Sequence, residues 1–135
     1  MNAARGSHDE AVMRVLWLCL LFLGCAGSRS VVRDERGGYS ARDYLQTAFD
    51  TLSEAETDTN GHRIRAAVET RAALERLDDR ARPRRVPYEG EPSLAVAFEL
   101  LQRSEPELPP RSAAQQHAQR ALEELRLALT GTTAR

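Results

Sequence analysis

Apolar residues recur along most of this chain at helical spacing. Leu45, Ala48, Phe49, Leu52 and Ala55 stand at i, i+3, i+4, i+7 and i+10, which places them on one helical face. Ser40 with Asp43 three residues later has the form of a capping box and opens this helix. Thr57-Asp58-Thr59-Asn60-Gly61 is turn chemistry and predicts an end near Glu56. A second helix is expected from about His62 to Asp79, with Ile64, Ala67, Val68, Leu74 and Leu77 on its inner side. A connection this short makes the two helices antiparallel neighbours.

The stretch from Arg80 to Glu91 interrupts the pattern with Pro83, Pro87, Gly90 and arginines at 80, 82, 84 and 85. A third helix is expected from about Pro92, with Leu94, Ala97, Phe98 and Leu101 on one face, until Pro106, Pro109 and Pro110 end it. Ser112 to Gln115 forms a second capping box. Ala118, Ala121, Leu122, Leu125 and Leu129 then carry a fourth helix as far as Gly131.

The halves match each other. Leu45, Ala48-Phe49 and Leu52 correspond to Leu94, Ala97-Phe98 and Leu101 at an offset of 49. His62, Arg65, Ala66, Glu69, Arg71, Ala73 and Leu74 correspond to His117, Arg120, Ala121, Glu124, Arg126, Ala128 and Leu129 at an offset of 55. The expected fold is therefore all-α: two antiparallel helical hairpins, residues 40–79 and 92–131, joined by an Arg/Pro linker over 80–91. They arise from an internal duplication and form a four-helix bundle.

The N-terminal segment breaks this periodicity. Val15 to Leu23 is an unbroken apolar run behind Met13-Arg14, too short to span a membrane at about 20 residues but of signal-peptide length. Residues 1–24 are expected to be a signal peptide, and a start at Met13 would give a leader of conventional length. Phe22-Leu23-Gly24-Cys25 resembles a bacterial lipobox, with Phe22 where Leu is usual. That resemblance implies lipidation of Cys25 and a membrane anchor at the mature N-terminus. With Ala26 rather than Asp next, it implies an exported, cell-envelope location, the periplasm or outer membrane of a bacterium. Residues 25–39 are polar, aperiodic and glycine-bearing, the composition of a disordered, flexible tether.

Composition removes several function classes. The chain has 135 residues, 19 basic and 20 acidic, for a net charge of -1, which does not suit a nucleic-acid binder. All the basic residues are arginine and are scattered over helix surfaces. Cys19 and Cys25 are the only cysteines, so a chain that begins at Cys25 has no disulfide.

The first hairpin also resembles small exported bacterial helical proteins with a D-x-x-GHR-x-x-A turn: Asp58, Gly61, His62, Arg63 and Ala66 match it. The second half keeps His117 and Arg120 but has Gln115-Gln116 in place of the turn. The resemblance implies two antiparallel helices and brings no known activity with it. Gly61, His62 and Arg63 are expected to be structural turn residues, and because the positive end of the helix dipole disfavours a charged imidazolium, His62 is expected as a neutral ring on a loop carbonyl.

No nucleophile–base constellation and no phosphate loop is present, so the chain is not expected to be an enzyme or to carry a cofactor. The alternative is a periplasmic haem or metal protein using His62 and His117, although no Glu-x-x-His spacing supports it. The cluster Arg80, Arg82, Arg84 and Arg85 is either a solvated linker or a contact for anionic lipid or cell-wall polymer. The expected partners are the membrane, an envelope protein and a second copy, since the second half is poorer in large apolar residues.

Overall fold

A computed structural model describes residues 32–33, 38–58 and 60–132; the leader and Cys25 lie outside them. The described residues form four α-helices: α1 (Ala41–Glu54), α2 (His62–Glu75), α3 (Leu94–Ser104) and α4 (Ala113–Thr132). One 3-10 turn, Glu105–Glu107, follows α3. None of these helices is long and apolar enough to cross a membrane.

Local chemistry sets the helix ends. The Ser40 hydroxyl accepts the Asp43 N–H while the Asp43 carboxylate accepts the Ser40 N–H, which is the expected capping box. α1 stops at Glu54, two residues early, because Ala55 turns extended. α2 stops at Glu75 rather than near Asp79. Pro92 lies outside α3; Ser93 is the cap, its hydroxyl accepting the Val96 N–H. Ser112 caps α4 through the Gln115 N–H, but the Gln115 side chain turns back to the Arg111 N–H, and α4 continues through Gly131.

The helices form a bundle in which α1 and α4 each touch both α2 and α3. The C-terminal end of α1, the N-terminal end of α3 and Leu129 of α4 line one groove, so these ends lie together. The second hairpin therefore starts at the far end from where α2 finishes, and residues 77–93 must run the length of the bundle. They do so along α1: the Arg84 N–H donates to Asp43 and the Val86 N–H to the Thr47 hydroxyl, with Val86 fully buried. Val32, in the stretch expected to be tether, is buried too. It forms an isolated antiparallel bridge with Tyr88, and its N–H donates to Glu99 of α3. The linker, with Val32 and Arg33, thus covers the outer side of the α1–α3 pair.

The core is rich in leucine on one side and alanine on the other. Leu45, Leu52, Leu100 and Leu101 of α1 and α3 are fully buried. α2 contributes Ala66, Thr70 and Ala73, which face Ala118, Ala121 and Leu125 of α4. Ile64 and Val68, expected on the inner side of α2, are 54% and 61% exposed. The contact uses small residues, so that two backbones approach closely and the branched side chains are turned outward. Buried hydroxyls remain satisfied, since Thr47, Thr51 and Thr70 each donate to the carbonyl four residues back.

Candidate functional site

The Asp58 to Ala66 turn is a joint in which each matched residue has a structural task. Gly61 precedes α2 at φ +71, a left-handed conformation that glycine adopts without strain, and it has no side chain to cap the helix. Asp58 supplies the cap from a distance: its two oxygens accept the His62 N–H at 2.8 Å and the Arg63 N–H at 3.0 Å. Burial pushes the Asp58 carboxyl up, but the Arg63 and His62 N–H groups outweigh it and hold the pKa below the ordinary 3.8. Arg63 reaches back to the Leu52 carbonyl at 2.6 Å and so satisfies an orphan acceptor at the end of α1. Ala66 is fully buried against α4.

His62 does not bond a loop carbonyl. Its Nδ1 lies 2.7 Å from Glu124 Oε2 on α4, and Arg65 Nε donates to the same oxygen at 2.9 Å. The His62 hydrogen bond and the Arg65 guanidinium keep Glu124 below the usual carboxylate range despite its partial burial. On the other side, His117 Nδ1 of α4 lies 2.6 Å from Glu69 Oε2 of α2. The two pairs exchange partners: each histidine meets the glutamate that follows the other histidine by seven residues. Seven residues are about 10 Å along a helix. The structure therefore keeps His62 and His117 apart, each on its own carboxylate. Among the described residues no cluster of three or more His, Cys, Asp or Glu side chains is arranged to hold a metal ion.

Between these pairs α2 and α4 leave a shallow groove of about 310 Å³ open to solvent. Ile64, Arg65, Val68 and Glu69 line one wall; Arg120, Glu123 and Glu124 line the other. Leu127, one turn beyond Glu123, is a further exposed apolar residue at 45%. The sequence signal for the pairs was present in the offset of 55, which relates both histidines and both glutamates, but only the antiparallel alignment of α2 and α4 shows who meets whom.

The arginine cluster is divided. Arg84 donates to Asp43 and to the Gly38 carbonyl and lies 5.0 Å over the Tyr39 ring. Arg85 lies over Tyr88 at 5.9 Å, while Arg80 and Arg82 are exposed. Arg84 therefore fastens the linker, while Arg85 packs on a residue of the linker itself. No protein-family model, curated protein or solved structure matches this chain.

Proposed function

We propose that this protein is exported, lipid-anchored at Cys25 to the bacterial cell envelope, and acts there as a non-enzymatic helical interaction module. One observation carries the interaction reading: the α1–α3 side of the bundle is covered by its own linker, while the α2–α4 side presents Ile64 and Val68 to solvent. His62 and Arg65 bond to Glu124, and His117 to Glu69, across the helix contact, so these groups hold the bundle. The anchor rests on the apolar run Val15–Leu23 and the lipobox-like Phe22-Leu23-Gly24-Cys25. The partner-exchanging His–Glu pairs fit a duplicated hairpin, since twofold-related halves bring equivalent residues together reciprocally. Mass spectrometry of the protein from the membrane fraction tests the anchor. The expected mature N-terminus is an acylated Cys25; an unmodified N-terminus at any other residue refutes it.

A further inference from the structure

The α2–α4 face, which presents Ile64 and Val68 to solvent, has a register of its own. The two His–Glu pairs set residue 62 level with 124 and residue 69 level with 117. On that scale the midpoint of Ile64 and Val68 is level with residue 120. The midpoint of Arg120 and Glu123 falls between 121 and 122, only ~2 Å further along the bundle. A single twofold axis lying in the face, across the helices at this level, thus serves both pairs of residues at once. It sets Ile64 on Val68 of a second copy, and Arg120 against Glu123 of a second copy, each contact occurring twice.

We propose that the partner of this face is a second copy of the chain, docked through that axis with α2 antiparallel to α2 and α4 antiparallel to α4. The proposal rests on the reading of the bundle as an interaction module and names what it binds. Charge supports self-pairing over another partner: the groove carries both signs, Arg65 and Arg120 with Glu69, Glu123 and Glu124, so it is complementary to itself and to no strongly charged surface. The apolar centre is two β-branched side chains, more than half exposed, ringed by these charges. A face ~21 Å long and ~20 Å across presents on the order of 400 Å² in projection, which is small for a specific interface. Association is accordingly expected in the micromolar range.

The test is sedimentation of the full chain in nonionic detergent over low to high micromolar concentration, beside substituted chains whose helicity is checked by circular dichroism. The native chain is expected to pass from monomer to dimer. Val68→Glu, at a position with room for any side chain, should weaken the dimer by on the order of tenfold or more. Arg120→Glu and Glu123→Arg should each weaken it by placing like charges together, and the double substitution should restore it. A native chain that stays monomeric overturns the proposal. So does a dimer indifferent to Val68→Glu, which would be held by the leader or another surface, and so does a double substitution that fails to restore pairing. The acylation of Cys25 is read separately, so failure of the anchor and failure of the dimer are distinguishable.

Discussion

Replacing Asp58 by alanine removes the cap of α2 without touching the core. The carboxylate accepts two of the four N–H groups that a helix start leaves unpaired. Loss of a capping side chain costs about 1 kcal/mol. Loss of a negative charge beside the positive end of the helix dipole costs about 0.5 kcal/mol more. For a folded unit of this size each kcal/mol shifts Tm by ~4–8 °C, so the melting temperature at pH 7 should fall by ~6–12 °C. The folded-state pKa of Asp58 lies below its ordinary 3.8, so the carboxylate's contribution is complete above that value and disappears as pH falls through the folded value. Thermal melts of the full chain followed by circular dichroism should show the full deficit at pH 7 and a smaller one as pH falls below 3.8, where the charge is lost and only an uncharged acceptor remains. Asp58→Asn, which retains an acceptor without the charge, should fall between. A change in Tm under ~2 °C at pH 7, or one equally large at pH 2, would refute this account of the turn.

Three further outcomes follow from the same geometry. Val86→Ala should cost about 2 kcal/mol in urea unfolding, because two buried methyl groups are lost where the linker meets α1; no loss would mean that the linker is not docked. Ala121→Leu should destabilise by ~1–3 kcal/mol, since a fully buried alanine at the α2–α4 contact has no room for a larger side chain; an unchanged unfolding midpoint would disprove close approach there. Glu124→Gln should lower stability near pH 6 and progressively less below pH 4, because the depressed pKa of Glu124 makes its contribution an effect of higher pH; a pH-independent loss would contradict the ion-pair account.

Helix placement was legible because breakers and caps are local: Ser40 with Asp43, Asn60-Gly61, and the prolines after Ser104 act within a few residues of themselves. The inner face of α2 was not, because helical spacing with residue size points to the largest apolar residues as the buried ones. There the helix contact selects for small size, so Ala66, Thr70 and Ala73 go in and Ile64 and Val68 stay out. Val32 and Val86 were hidden for a different reason. Each is an isolated apolar residue in a polar, irregular stretch, and its burial depends on α1, α3 and Tyr88, which sequence spacing does not connect to it. At the candidate site the residue types and equivalences were visible, while the exchange of partners required the alignment of two helices distant in sequence.

The linker's path along α1 also bears on how two molecules could go wrong. Proteins built of two helical hairpins can trade halves, one molecule's second hairpin completing another's first, and a loose connection makes that trade cheap. Here the connection is fastened at Asp43 and Thr47, plugged by Val86 and overlaid by Val32 with the Arg33 N–H on the Pro87 carbonyl. To swap halves, a molecule would first have to strip this seam and expose its own leucine layer. The seam therefore opposes such an exchange and favours each chain completing its own bundle.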